Sequence, residues 1–246
     1  MRLGARVVST ANTDSESTDL TTGLETLLTR RYSCRAFLPR PVPRATIERI
    51  LATTQRTASW CNAQPWQVIV TSGAGTERLR AAFHHYAAAA HAAGRGPQYD
   101  YDPPSEYRGI YLQRRRECGL QLYASLGIGK ADREAAARQV LENFRFFGAP
   151  HVAIVTCDES LRTYGAIDCG GYVANFLLAA TSLGVAAIAQ AAVASQSGFL
   201  RKYLSLSEDR KVICGISFGY ADEQHPANRF RTTRASLADA VTWLEQ

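Results

Sequence analysis

Between Gly170 and Leu200 the chain carries no charged residue. A stretch that long without charge has to be buried, in protein or in lipid. Asn175, Thr181, Ser182, Gln190 and Ser195 interrupt it, and Gly184 divides it. The pattern therefore predicts a buried helix over 168–183, opened and capped by Asp168, and then a buried strand over 185–189, not a membrane span. A helix that is apolar all round belongs at the centre of a fold, so the rest of the chain has to wrap around this unit.

What surrounds it supplies strands and helices in irregular order. Alternating or β-branched runs predict strands at 66–71, 151–157 and 211–218. Helical spacing predicts helices over 20–30, from 44 onward, over 75–93, 107–126, 131–147 and 197–204, and a short amphipathic one over 236–245 carrying Leu237, Val241 and Leu244. Four strands scattered among helices, without regular strand–helix–strand alternation, predict an α+β domain whose single sheet is covered by helices. The length of 246 residues suits one domain, placed here at 20–246. Residues 1–19, rich in Ser, Thr, Asn and Asp without periodicity, read as a flexible extension. The Gly94–Ser105 stretch reads as a surface loop or lid. Tyr99, Tyr101, Tyr107 and Tyr111 would line it or simply be surface aromatics.

Composition excludes several classes. The formal net charge of +6 is mild for this length and does not mark a nucleic-acid binder. The positive charge is almost all arginine, since the lysines are Lys130, Lys202 and Lys211, and arginine suits bidentate phosphate contacts. The six cysteines show neither a C-x-x-C pair nor zinc spacing, which points to reduced thiols in a cytoplasmic protein and to no metal site. His84, His85 and His91 do not share a metal-binding face. The start of the chain lacks the apolar run of a signal peptide.

Four segments could carry chemistry. In Arg30-Arg31-Tyr32-Ser33-Cys34-Arg35-Ala36-Phe37, an extended backbone would point Arg31, Ser33 and Arg35 the same way, as an anion site. Alone, the run reads first as a solvated basic turn. In Ser59-Trp60-Cys61-Asn62-Ala63-Gln64-Pro65-Trp66, the amides of Asn62 and Gln64 can both donate and accept, as a heterocycle edge requires. An amide-capped turn explains them equally well. The tail run from Asn228 to Arg234 has arginines at alternate positions, Arg229 and Arg231. The small residues around Ala189, Gln190 and Ala191 would let a flat ligand approach the backbone, or merely pack as a strand.

Taken in order, these segments resemble the nitroreductase-like family of FMN-dependent oxidoreductases. The resemblance rests on R-x-S-x-R-x-F at Arg31, Ser33, Arg35 and Phe37, and on S-x-x-N-x-Q-P-W at Ser59, Asn62, Gln64, Pro65 and Trp66. It continues through Asn143-Phe144-Arg145-Phe146-Phe147-Gly148-Ala149-Pro150 before a strand, Leu183-Gly184 after the central helix, and the basic tail. It covers about residues 20 to 246, so the family's whole domain is implied.

The resemblance implies a central mixed, largely antiparallel sheet surrounded by helices, in a domain-intertwined homodimer with non-covalent FMN at the interface. Arg31, Ser33, Arg229 and Arg231 would hold the phosphate, and Arg35 would lie by the ribityl chain and the flavin edge. Ser59 and Asn62 would reach the partner's flavin. Arg145 would meet the pyrimidine edge, and the backbone of Ala189, Gln190 and Ala191 would face the ring. The implied reaction passes hydride from transiently bound NAD(P)H to an electron-poor small molecule such as a nitroaromatic or quinone, without a side-chain nucleophile. The same scaffold also suits dehalogenation, enone reduction, dehydrogenation or flavin binding without turnover. Trp60, where some members have Ser, and Ala189, where some have Pro, bear on substrate fit.

Overall fold

The computed structural model describes residues 11–245, with side chains from 18 onward. Helix α1 spans Ala11–Arg30, so the second half of the expected extension is helical. Once a helix is nucleated, each added residue gains a hydrogen bond, and polar residues extend it without an apolar face. Residues 1–10 lie outside the described part. After α1 come α2 (Arg44–Thr54), strand β1 (Trp66–Thr71), α3 (Ala74–Ala92), α4 (Gly109–Ser125) and α5 (Arg133–Leu141). Then follow β2 (His151–Asp158), α6 (Arg162–Ser182), β3 (Ala186–Gln190), α7 (Ala191–Ala194), α8 (Ser197–Tyr203) and β4 (Arg210–Gly219).

The four strands form one sheet in the order β1-β2-β4-β3. All three strand pairings are antiparallel. The expected parallel component is reduced, among the described residues, to isolated bridges such as Ser33 with Ala187. Along β2 the side chains alternate between two cores. Ala153, Val155 and Cys157 pack with Ile47, Ile50, Tyr172 and Phe176 of α2 and α6. Val152 and Ile154 pack with Leu79 and Phe83 of α3 and with Phe144, Phe146 and Phe147. A bulge in β4 opposite Val155 and Thr156 sets Val212 and Cys214 on opposite faces.

The central helix is the expected one with two corrections. It starts at Arg162, so Asp168 lies inside it and caps nothing; the Asp168 carboxylate instead accepts the Trp60 N–H at 3.1 Å. It is also not buried all round, because Gly170, Ala174 and Asn175 stand exposed, as do Tyr164 and Ile167 in its first turns. It ends as the sequence implies. Gly184 takes φ +70°, the Val185 N–H bonds the Ala180 carbonyl at 2.9 Å, and the Gly184 N–H bonds that of Thr181 at 3.1 Å. That double closure needs a left-handed residue, which glycine adopts without strain.

Three other expectations change. The 131–147 helix stops at Leu141, and Glu142–Gly148 forms a tighter turn that drives Phe144, Phe146 and Phe147 into the core. Of the tail helix only a turn at Leu237–Asp239 forms; Leu237 and Leu244 stay exposed, and so short an amphipathic helix needs a packing partner. The Gly94–Ser105 loop is no free lid. Gln98 bonds Ser195 and Ser197, and the Asp100 carboxylate takes bonds from Arg201 at 2.6 Å and from the Val212 N–H at 2.7 Å. The charge-free stretch folds as a helix and a strand; among the described residues no helix is long and apolar enough to cross a membrane.

His151 gives the fold a pH dependence. It is buried; its Nε2 accepts the Val42 N–H at 2.9 Å, and Nδ1 lies 3.3 Å from the Thr71 carbonyl, so the ring is neutral with its proton on Nδ1. Burial holds its pKa below the usual histidine value, with the Thr71 carbonyl opposing. Below about pH 6.5 the unfolded chain takes up this proton before the fold does, so its contribution is present above that pH and lost as the pH falls through the depressed value. The thermal midpoint is expected to fall between about pH 7 and pH 5. His151→Gln, which cannot titrate, should flatten that part of the profile. Identical profiles in the two proteins would remove His151 from the account.

Candidate functional site

The segment after α1 is threaded along the sheet edge. Ser33 bridges Ala187 beside β3, the Cys34 N–H reaches the Ala187 carbonyl at 3.3 Å, and the Leu38 N–H that of Tyr220 at 2.8 Å. Extended backbone turns successive side chains to opposite sides. Cys34 and Ala36 go into the protein. Arg31, Ser33 and Arg35 go to a cleft of about 830 Å³, shared with Tyr32, Cys118, Phe230, Arg231 and Arg234.

The tail closes this cleft through Asn228, which is 4% exposed. Its Oδ1 accepts the Arg35 N–H at 2.7 Å, and its Nδ2 donates to the carbonyls of Ala36 and Asp222, both at 2.9 Å. Arg231 then lies 3.7 Å over the Tyr32 ring and donates to the Asn228 carbonyl at 2.7 Å. Arg229 does not enter. Its guanidinium is exposed and bonds the Gln224 carbonyl at 2.8 Å, because it closes the short turn Pro226–Asn228 on the outer side.

The cleft is electropositive. Four arginines and no carboxylate line it. Burial lowers the pKa of Arg31, with the charge of Arg234 adding to it, and burial lowers that of Arg35. Burial also pushes the Tyr32 hydroxyl up to about 12 and the Cys34 thiol up to about 11, so neither supplies a negative charge near neutral pH. Arg31 and Arg35 are half-buried and Arg231 and Arg234 exposed; with no carboxylate in the lining, the four guanidinium groups form a receptor for an anion with several acceptor oxygens, such as a phosphate ester.

Arg35 also lines a second cavity, of about 580 Å³, with Glu142, Arg145, Phe147 and His225. Glu142 sits 3.5 Å from Arg145. The wall thus carries donors in Arg35, Arg80, Arg138 and Arg145 and acceptors in Glu142 and Asp222. Phe146 and Phe147 hold left-handed backbone at φ 58° and 51°. Strain of this kind persists only where the surroundings enforce it, and it gathers at binding sites.

The Ser59–Gln64 loop is strained likewise, with Cys61, Asn62 and Gln64 at φ 52°, 53° and 48°. The Ser59 hydroxyl accepts the Gln64 N–H at 2.9 Å, and the exposed Trp60 ring packs against Tyr164 at 4.3 Å between centroids, tilted by 59°. None of Ser59, Asn62 and Gln64 lines either cavity. Neither do Ala189, Gln190 and Ala191. The Gln190 side chain is used in the core, with its Nε2 on the Asn143 carbonyl at 3.0 Å and its Oε1 taking the Ser217 hydroxyl. One chain therefore assembles Arg31, Ser33, Arg35, Arg231 and, past Arg35, Arg145. It leaves the amide loop elsewhere. Asn228, Arg234, Glu142 and Cys118 join the site without having been singled out. The first two stand in the basic tail run, and nothing in the sequence marks Cys118. Among the described residues no group of His, Cys, Asp and Glu could hold a metal ion.

The model of the nitroreductase family matches residues 28–220. The nitroreductase NfnB of Mycolicibacterium smegmatis is 36% identical over 225 residues, which cover 91% of this chain and 93% of that protein. A 4-nitrobenzoate reductase of a Nocardioides species is 34% identical over 87% of each chain. The crystal structure of the FMN-dependent nitroreductase NfnB from Mycobacterium smegmatis in complex with NADPH aligns with a TM-score of 0.85 at 34% identity, covering 92% of this chain and 100% of that one.

Proposed function

The chain belongs to the nitroreductase family, and from that premise we propose that it is an FMN-dependent oxidoreductase that takes hydride from NAD(P)H and reduces an electron-poor acceptor, a nitroaromatic or a quinone. The observation that carries the proposal is the carboxylate-free arginine cleft, whose Arg35 also lines a second cavity. The first part fits a phosphate dianion. The second carries both donors and acceptors, which a pyrimidine edge presenting acceptor, donor and acceptor requires. FMN when bound supplies the two-electron transfer. The protein's own part is to hold and orient it. Arg31, Ser33 and Arg231 bind the phosphate, Arg35 lies at the junction, and Arg145 with Glu142 reads the ring edge. The Arg35 charge, held ready before reaction, favours the electron-rich ring.

The amide loop and the backbone of Ala189 to Ala191 complete the site in a homodimer, with Ser59, Asn62 and Gln64 reaching the flavin of the second subunit. Three unpartnered apolar surfaces support this. Leu20, Leu24 and Leu28 of α1, Ile110, Tyr111 and Leu120 of α4, and Trp60, Tyr164 and Ile167 all stand exposed. α4 has no buried residue. Apolar surface of that extent marks an interface, and sedimentation should give twice the chain mass. A monomer at micromolar concentration would overturn the dimer. The buried apolar thiols Cys157, Cys169 and Cys214 support a reducing, cytoplasmic location.

The purified protein is expected to show a flavin spectrum, to release FMN on heating, and to lose its visible band when NADPH or NADH is added without oxygen. A nitroaromatic panel should then restore the band with turnover. Bleaching without turnover of any nitroaromatic or quinone would move the reaction to dehalogenation, enone reduction or dehydrogenation. No bleaching would leave a flavin-binding protein.

A further inference from the structure

Helix α4 serves two sites. Cys118 lines the arginine cleft. On another face of the helix, Arg115, Arg116, Gly119, Leu120 and Tyr123, spaced by three and four residues, line a separate pocket of about 530 Å³ that Lys130 completes. The pocket and the cleft are thus about one helix diameter apart, roughly 10 Å. The second cavity is as near. Ile128 lines that cavity and Lys130 this pocket, and two residues of chain span at most about 7 Å.

The pocket suits an anion with a flat body. Three cations line it and no carboxylate does. Arg116 and Lys130 are exposed and make no ion pair among the described residues. Arg115 lies over the Tyr107 ring at 5.2 Å. Gly119 stands in the middle of α4, where glycine lowers stability relative to alanine. A Cβ there would meet nothing within 4 Å, so packing within the chain does not require the glycine. Its bare backbone, between Leu120 and Tyr123, lets a ring approach closely. Cations without acceptors do not suit the core of a protein interface, which is depleted of charge, so the pocket belongs at the rim of any contact that α4 makes.

Of the two nicotinamide donors, NADPH has both parts this pocket selects, an adenine ring and a ribose 2′-phosphate, and NADH lacks the second. A phosphate monoester gives each cation an acceptor, and a guanidinium can meet it with two donors. We propose that this pocket binds the adenosine 2′-phosphate end of NADPH, with the nicotinamide reaching the flavin past the end of α4, and that Arg116 and Lys130 make the enzyme prefer NADPH to NADH. The proposal rests on the flavin reading of the two cavities.

The test uses two probes that differ in the 2′-phosphate alone, adenosine 2′,5′-bisphosphate and adenosine 5′-monophosphate, in calorimetry on the purified protein. The bisphosphate should bind the wild type about tenfold tighter. Arg116→Ala and Lys130→Ala should each weaken the bisphosphate about tenfold and the monophosphate less than about twofold. Arg114→Ala removes the same charge from α4 outside the lining and should keep the discrimination. Gly119→Leu, a better helix former, should melt no lower than the wild type yet bind both probes more weakly. In turnover, the ratio of kcat/KM for NADPH to that for NADH should fall about tenfold in Arg116→Ala. Wild-type Kd values for the two probes within about twofold of each other, a loss in Arg114→Ala equal to that in Arg116→Ala, or undiminished binding by Gly119→Leu overturns the proposal. Arg116-dependent discrimination in a protein that holds no FMN would keep the pocket and sink the flavin reading instead.

Discussion

The double variant Arg31→Ala with Arg231→Ala is expected to fold and to lose FMN. Each guanidinium can give a bidentate, charge-assisted contact to phosphate, worth about 1.5–3 kcal/mol. The pair shares one ligand, so the losses need not add. Even so, the Kd for FMN should rise by about two to four orders of magnitude. Neither side chain belongs to either core. Arg231 forfeits its stacking on Tyr32 and its bond to the Asn228 carbonyl, both at the cleft mouth, so the circular dichroism spectrum should be unchanged. Flavin absorbance after gel filtration measures the outcome. A double variant that emerges with full flavin occupancy would falsify the phosphate assignment of the whole cleft. One that loses flavin and also melts far below the wild type would instead show that these arginines hold the tail in place.

The contrast between Arg231 and Arg229 shows where sequence stops being informative. Apolar periodicity placed β1, β2, α2 and α3 close to their observed bounds, because burial on one face leaves its period in the chain. The Leu183–Gly184 stop was legible for a similar reason, since the double closure demands a left-handed residue. The extended run of Arg31, Ser33 and Arg35 was legible as well, because strand geometry alone turns those three side chains one way. The tail was not. Alternation put Arg229 beside Arg231, but a turn locked by Asn228 replaced alternation with a bend and exchanged Arg229 for Arg234. The apolar helix over 168–183 was assigned to the centre by composition, yet composition cannot distinguish a face buried in the chain from one left exposed. The same holds for Ser59, Asn62 and Gln64. Their types suited a heterocycle edge, and their strained backbone fits a binding loop, but neither cavity takes them as lining.

Substitution of Asn228 should have the second large effect, because three backbone groups, one buried and two part-buried, depend on one amide. It takes the Arg35 N–H and satisfies the carbonyls of Ala36 and Asp222. Asn228→Ala removes all three bonds while the groups stay mostly buried, at about 1–3 kcal/mol for each left unpaired. Water entering beside the exposed tail will recover part of that, so a net loss of about 3 kcal/mol is expected in urea unfolding. The effect should also reach the ligand. Arg35 and Arg231 are both tied to Asn228, one through its backbone N–H and one through the Asn228 carbonyl, so the two walls of the cleft lose a common reference and FMN should bind about tenfold more weakly. Asn228→Asp separates the two roles. It keeps the acceptor for Arg35 and forfeits both donors, setting a carboxylate against two carbonyl oxygens, so stability should fall at least as far as in the alanine variant. If Asn228→Ala unfolds within about 0.5 kcal/mol of the wild type, the amide is not what fastens the tail to the sheet edge, and the placement of Arg234 over the cleft loses its cause.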